Sequence, residues 1–297
     1  MRVSLILLLL PLLLASPPSQ AWNAAGHRLT ASIAWHHLSP AGRDFVARSL
    51  ARHPDHPRWL ERSGSGQAAE IFAEAATWAD NIRVDPRYYD ERHEAPTPPI
   101  EGLPDHARHK TWHYLDLDRD GQIRAGEIDN RLGKLEHLLR STADPQQISW
   151  ALPWLIHLVG DIHQPLHVGR HGDQGGNQVE IEIANRPARP FGNLHQYWDD
   201  LPGPASLRGK RLSARARQLM ASHPPPPQGD IALWREESHR LLDAAYPETA
   251  GSLLPLADAA FQQRAKMLAE RRLAEAGWRL ARLIERIVEY RVSRGTP

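Results

Sequence analysis

The sequence predicts an all-α protein, a single compact helical domain carrying one small β-hairpin. Three observations point there. Apolar residues recur at intervals of three and four in several separate segments, only one short stretch alternates with a period of two, and neither an internal repeat nor a shift in composition divides the 297 residues.

The elements follow in chain order. Met1-Arg2, the apolar run Leu5 to Leu14 and the small residues of Ser19-Gln20-Ala21 form a secretory signal pattern over residues 1–21. A membrane anchor needs roughly 20 apolar residues, and Pro17 and Pro18 cut this run short. Cleavage after Ala21 is therefore expected, with residues 22–297 as the mature domain, secreted or periplasmic, without a membrane anchor and monomeric. A helix is predicted over Gly42 to Leu50, behind the start signal Ser39-Pro40. Gly66 to Arg83 carries Ile71, Ala75, Trp78, Ala79 and Ile82 at helical spacing; Ile128 to Leu139 and Ser149 to Gln164 repeat the pattern. Leu254 to Arg291 is the longest such stretch, its charges forming a solvated face. Proline-rich loops fall at Pro96 to Pro104 and Pro224 to Pro227. Gln178 to Ile183 alternates as a strand does and is expected to pair in the hairpin.

Composition narrows the chemistry. With no cysteine, thiolate is excluded as nucleophile or metal ligand. A net charge of +1 excludes a bulk cationic field, so a polyanionic substrate would have to be held by local groups or by metal. The unusual features are 17 histidines and 10 tryptophans.

His157 with Asp161, and His195 with Asp199, are each spaced four residues apart, which puts imidazole and carboxylate on one helix face. Such a pair suits zinc, and equally a buried hydrogen-bonded couple. Pro165 should end the helix after Asp161, leaving His167 free to fold back, while His163 points elsewhere as a supporting histidine. Signal cleavage would also leave Trp22 with an α-amine titrating near 8, whose nitrogen and carbonyl oxygen together could chelate a metal.

The ordered set Trp22-x-x-x-Gly26-His27, Thr77-Trp-Ala-Asp80, Trp112-His113-Tyr114, His157-Leu-Val-Gly-Asp161-x-His-Gln-Pro-Leu-His167, Gly175-Gly-Asn177 and Asn193-Leu-His195-x-x-Trp-Asp199 resembles the S1/P1 nuclease family. The resemblance spans Trp22 to Asp199 and continues more weakly in the C-terminal helix. It implies a helical fold of the phospholipase C/P1 nuclease type and a cleft holding three zinc ions. By that resemblance one zinc would sit on Asp80, His113, His157 and Asp161. A second would sit on the Trp22 amine and carbonyl, His27 and Asp161, and a third on His167, His195 and Asp199. The implied activity is hydrolysis of single-stranded RNA or DNA to 5′-nucleotides, with 3′-nucleotidase activity. The Asp161-bridged metals would activate the attacking water, and Arg83 would neutralise the phosphoryl oxygens; many family members have lysine there. Tyr114 would stack an unpaired base and Asp116 would hydrogen-bond it, with Asn177 beside the substrate.

A second motif overlaps this region. Asp116-x-Asp118-x-Asp120-Gly121-Gln122, closing at Glu127, fits an EF-hand loop and carries the expectation of a calcium site. Two rival functions remain open on sequence: a zinc-dependent phospholipase C, which shares the trinuclear scaffold, and a non-catalytic zinc-binding protein.

Overall fold

The structure is a computed structural model and describes residues 22–184, 192–227, 229–248 and 254–295; the signal pattern of residues 1–21 lies outside them. Helices dominate, as predicted. In order they are α1 (Ala24–His37), α2 (Pro40–Leu50), α3 (His56–Ser63), α4 (Ala68–Ala75), α5 (Trp78–Asn81), α6 (Ile128–Ser141), α7 (Pro145–Ile162), α8 (Leu194–Asp199), α9 (Gly209–Ser222), α10 (Ile231–Arg240), α11 (Leu242–Ala245) and α12 (Ala259–Ser293). Among the described residues five short strands interrupt them: β1 (Leu115–Leu117), β2 (Ile123–Gly126), β3 (Val168–Arg170), β4 (Glu182–Ile183) and β5 (Leu256–Ala257).

The predicted helices are present, with shifted ends. Ser39 caps α2 by accepting from the Gly42 amide at 3.0 Å. Helix α7 starts earlier than Ser149 because Asp144 caps it and Pro145 fills the first turn, where a missing amide costs nothing. It stops at Ile162, two residues short of Gln164, ahead of Pro165. Asp258 caps α12 through the Phe261 amide at 2.7 Å, so that helix begins at Ala259 and not at Leu254. The stretch Gly66 to Arg83 divides into α4 and α5 at Ala76–Thr77, where the Ala76 carbonyl is engaged by the His157 ring.

Strand pairing occurs both within the predicted segment and outside it. Within Gln178 to Ile183, Glu182 and Ile183 pair in parallel with β5, and Glu180 makes an antiparallel bridge to Asn193. A second antiparallel pairing, a hairpin, joins β1 to β2, the run that reads as an EF-hand loop. Alternation marks a strand but cannot name its partner. Strand β3 joins β1 in parallel, with Leu115 opposite Val168. That pairing brings His167, the residue just before β3, beside His113, two residues before β1, whose carbonyl lies 2.6 Å from His167 Nδ1.

Packing centres on α1 and α12. At their crossing a Cβ on Gly277 would lie 2.5 Å from the Ile33 side chain and 3.0 Å from the Thr30 carbonyl, so the close approach depends on glycine. Arg28 of α1 binds Glu74 of α4 through two bonds of 2.7 and 3.0 Å, with both side chains 2% exposed, a buried pair whose forked geometry fixes orientation. His163 is a supporting histidine, as expected. Its Nδ1 donates to the Val159 carbonyl at 2.7 Å and its Nε2 accepts from Arg279 of α12 at 3.0 Å.

Candidate metal centre

Four parts of the chain meet where α1 starts and α7 ends. Asn23 caps α1 and also donates to Asp200 Oδ1 at 3.0 Å and the Gly203 carbonyl at 2.8 Å, tying this helix start to the end of α8. Trp22 is fully buried, its indole donating to the Gly160 carbonyl of α7 at 3.1 Å. His27 then projects from α1 onto Gly160, where a Cβ would sit 3.0 Å from the His27 ring. A 3₁₀ turn, Lys110–His113, delivers His113, and a second, Pro165–His167, delivers His167. Helix α8 is held by a capping box between Asn193 and Gln196, so His195 and Asp199 leave it one turn apart.

These side chains assemble into three groups whose donor atoms lie within 4.8 Å of one another: His27, His157 and Asp161; Asp80, His113 and His157; and His167, His195 and Asp199. All eight residues are buried. Asp161 faces three histidines, with Oδ1 3.3 Å from His27 Nε2 and Oδ2 3.1 Å from His113 Nδ1 and 3.2 Å from His157 Nε2.

The ring protons decide what the groups can bind. Backbone carbonyls only accept, so a histidine nitrogen bonded to one must carry the proton. His157 Nδ1 donates to the Ala76 carbonyl at 2.8 Å, His167 Nδ1 to the His113 carbonyl at 2.6 Å, and His195 Nδ1 to the Gly175 carbonyl at 2.6 Å. In the neutral rings Nε2 is then a bare lone pair. The His167 and His195 Nε2 atoms nonetheless face each other at 3.1 Å. Two acceptors at that distance repel unless a cation sits with them. His27 Nδ1 and Nε2, His113 Nε2 and Asp161 Oδ1 are likewise buried without a hydrogen-bond partner, and buried polar atoms of this kind call for a ligand. The donor set of imidazole nitrogen and carboxylate oxygen fits zinc.

Electrostatics agree. Burial, assisted by neighbouring histidines, holds His27 and His167 well below the ordinary imidazole range. Burial and Arg83 do the same to His113, and burial lowers His195 to about 4. These rings are neutral at neutral pH, the form that binds metal. His157 differs: burial lowers it, but the Asp161 and Asp80 carboxylates outweigh burial and raise it to about 9. Burial pushes the Asp161 carboxyl up, while the neighbouring His157 opposes that rise.

The other predicted residues fall as follows. Arg83 is turned inward with its side chain 11% exposed, its Nη1 3.4 Å from Asp80 Oδ1 and its Nε buried without a partner. Tyr114 is half-buried directly after the His113 turn, and Asp116 is buried in β1. Burial raises the Asp116 carboxyl to about 6, with Asp173 adding to the rise and His171, 3.9 Å away, opposing it. The Asn177 amide lies 3.3 Å from His195 Nδ1.

The residues of the EF-hand pattern are not gathered. Asp118 closes the hairpin turn, accepting from the amides of Asp120 and Gln122 at 2.9 Å each and pairing with Arg124. Glu127 is held by Thr111 and Arg131. Asp116 is buried in the strand, Asp120 and Gln122 are exposed, and among the described residues no three of these carboxylates have donor atoms within 4.8 Å of one another. Sequence reasoning missed Gln164, whose Nε2 donates to Asp199 Oδ1 at 2.8 Å. It sits inside the His-Gln-Pro-Leu-His stretch, but nothing in the spacing links it to a carboxylate so far along the chain.

A helical scaffold that converges buried imidazoles and carboxylates defines a protein built around metal ions. Comparison with known proteins is specific. The family model for S1/P1 nuclease matches residues 22–289. Endonuclease 3 of Arabidopsis thaliana is 28% identical over 295 residues, covering 90% of this chain and 88% of the relative. Endonuclease 1 of the same plant is 32% identical over 66% of this chain and 58% of its own length. Nuclease P1 of Penicillium citrinum is 22% identical over 65% of this chain and 62% of its own length. The chain belongs to the S1/P1 nuclease family and is a hydrolytic nuclease.

Proposed function

We propose that this protein is a trinuclear-zinc phosphodiesterase that cuts single-stranded RNA and DNA to 5′-nucleotides and also acts as a 3′-nucleotidase. The observation that carries this reading is the convergence of buried imidazoles and carboxylates in three groups, with His27, His113 Nε2 and Asp161 Oδ1 lacking hydrogen-bond partners and the Nε2 lone pairs of His167 and His195 facing each other. Asp80, His113, His157 and Asp161 would hold one zinc. Trp22, through its amine and carbonyl, would hold a second with His27 and Asp161, and His167, His195 and Asp199 a third. Bound zinc would supply Lewis acidity, lowering the pKa of water and stabilising charge on the leaving oxygen.

The chain's own residues supply the rest. Arg83 stands beside Asp80 with a guanidinium directed inward, suited to charge gathering on phosphoryl oxygens. Tyr114 offers a ring for stacking, which tolerates any base and requires it to be unpaired. Asp116 offers a carboxyl to base amino groups, and Asn177, beside His195, would contact the substrate. Residues 22–297 form the mature catalytic domain in this reading, released to the periplasm or medium by cleavage after Ala21. That cleavage creates the Trp22 amine. Among the described residues no helix is long and apolar enough to cross a membrane.

The test is hydrolysis by the protein starting at Trp22, first chelated and then resupplied with zinc. Single-stranded RNA, single-stranded DNA, duplex DNA and phosphatidylcholine are compared. Zinc-dependent release of 5′-nucleotides from single strands is expected. Turnover of the lipid alone would assign the site to a phospholipase, and tight zinc binding without turnover would leave a binding protein.

A further inference from the structure

Just after the two turns that deliver His113 and His167, the paired strands β1 and β3 bring a carboxylate and an imidazole together. Tyr114 is extended (φ −147°, ψ 172°), so Tyr114 and Asp116, two residues apart, leave the chain on one face. Burial, and then the Asp116 carboxylate, raise the Tyr114 hydroxyl above its ordinary range, as expected of close neighbours. Opposite Asp116 lie Ala125 on β2 and Gly169 on β3, and neither side chain has a polar atom to offer it. His171 follows β3 and brings its Nδ1 to 3.9 Å from Asp116 Oδ2.

The carboxyl and the ring are both left open. Among the described residues the Asp116 carboxyl accepts no hydrogen bond, although its side chain is only 7% exposed. The 3.9 Å to His171 is too long for one. The neighbouring acid differs: Asp173 accepts from the Tyr246 hydroxyl at 2.8 and 3.0 Å and from the Gly176 amide at 2.8 Å. The His171 ring, 53% exposed, makes no hydrogen bond among the described residues either. A buried acceptor without a donor calls for a ligand, and here it stands beside an accessible imidazole.

The chemistry of the pair selects a base. An ionised carboxylate only accepts, through two oxygens side by side, and an imidazole has at least one N–H to give. From His171 Nδ1 through Asp116 Oδ2 to Oδ1 the order is donor, acceptor, acceptor. The Watson–Crick edge of guanine presents the complement: O6 accepts, while N1–H and the N2 amino group donate. Adenine and cytosine set one amino group beside a bare ring nitrogen, and uracil sets one N–H between two carbonyls. With any of these, one carboxylate oxygen would face a lone pair.

Resting on the nuclease reading above, we propose that Asp116 and His171 form a guanine-selective base pocket, with His171 as a specificity-determining residue. Asp116 accepts from N1–H and the amino group, His171 donates to O6, and Tyr114 stacks the ring. Cleavage of single strands then falls preferentially on the 3′ side of guanine.

The experiment measures kcat/KM of the zinc-loaded protein at pH 8, above the Asp116 pKa of about 6. The substrates are dinucleoside monophosphates that differ only in the base on the 5′ side of the scissile bond. Guanine should exceed adenine by on the order of tenfold, the scale of a bidentate base contact. Hypoxanthine, which keeps O6 and N1–H but lacks the amino group, should fall between them. His171→Ala, a change at an exposed side chain, should cut the guanine-to-adenine ratio about fivefold, the scale of one hydrogen bond. His171→Gln, which keeps a donor, should preserve most of the ratio. A merely structural loss would lower both rates together. Equal rates on guanine and adenine in the unchanged protein overturn the proposal, as does a ratio that His171→Ala leaves in place. If the unchanged protein hydrolyses none of the substrates, the nuclease reading fails. Equilibrium dialysis of guanosine 3′-monophosphate and adenosine 3′-monophosphate on the chelated protein then decides the pocket by itself. Tighter guanosine binding that His171→Ala abolishes supports it; equal binding, or a preference that His171→Ala leaves in place, overturns it.

Discussion

Gln164 spends its amide nitrogen on Asp199 while its own oxygen is buried without a donor, so it is placed to orient a carboxylate. Residues that orient metal ligands are worth roughly 10–100-fold in metal affinity. In the proposed trinuclear centre, Gln164→Ala should weaken the metal assigned to His167, His195 and Asp199 by about that factor and leave the other two in place. Competition with a chromophoric chelator, read against metal content, checks this. Asp116 allows a prediction in pH. Its folded pKa is raised from the ordinary 3.8 to about 6, so the fold holds the proton more tightly than the unfolded chain does. The stability this confers is present below about 4 and is lost as pH rises through about 6. Asp116→Asn should therefore raise Tm relative to the unchanged protein at pH 8 and leave it nearly equal at pH 4, by thermal melts at fixed zinc. Much of this scale was legible in the sequence, because imidazoles and carboxylates announce their chemistry by type and spacing. Gln164 was not, nor were the carbonyls of Ala76, His113 and Gly175 that fix the histidine protons. Their parts depend on folded distance alone.

Among the elements, α1 carries His27 yet was not predicted as a helix. Nine of its residues, from Ala25 to Ala34, are buried, so no polar face alternates with an apolar one to mark the period. Helix α9 was missed for the opposite reason, burying only Leu212, Ala216 and Leu219 among charged residues. The run 115–127 was ambiguous by composition, since acidic residues and glycine suit a tight hairpin as well as a cation loop; it folds as a hairpin that also pairs with β3. The contact of α1 with α12 gives a prediction contrary to helix propensity. Gly277→Ala would gain up to about 1 kcal/mol in an isolated helix. Here its methyl would meet Ile33 at 2.5 Å, so a net loss of about 1–3 kcal/mol is expected. Urea unfolding of the zinc-loaded protein measures it. A gain would mean that α12 can shift away from α1 without cost.

For the whole molecule, the buried hydrophobic residues form one cluster running from Trp22 to Val288, and the metal groups are set within it. A chain without cysteine has no covalent staple, and the three Asp residues of the centre, Asp80, Asp161 and Asp199, are buried. Metal binding should therefore contribute heavily to cohesion. Chelation is expected to lower Tm by on the order of 10 °C or more, since ligands present far above their Kd each add several kcal/mol. Differential scanning calorimetry with and without chelator reads this directly. A Tm that does not move would mean that the scaffold holds its histidines and carboxylates in place unaided. The all-α class was legible at this scale because a period of three to four survives in most segments. The meeting of α1, α7, α8 and the two 3₁₀ turns was not, because it depends on contacts between distant parts of the chain.

The tryptophans around His113 give the protein an optical property of its own. Trp154 is fully buried and makes edge or tilted contacts with Trp78 at 5.5 Å, Trp112 at 5.0 Å and the His113 ring at 5.7 Å. Indoles this close share their excited states, and the shared excitation ends beside an imidazole whose electron density changes when a cation binds. Near-ultraviolet dichroism and emission from this cluster should follow the filling of the centre continuously, so the protein can be titrated by light without any attached dye.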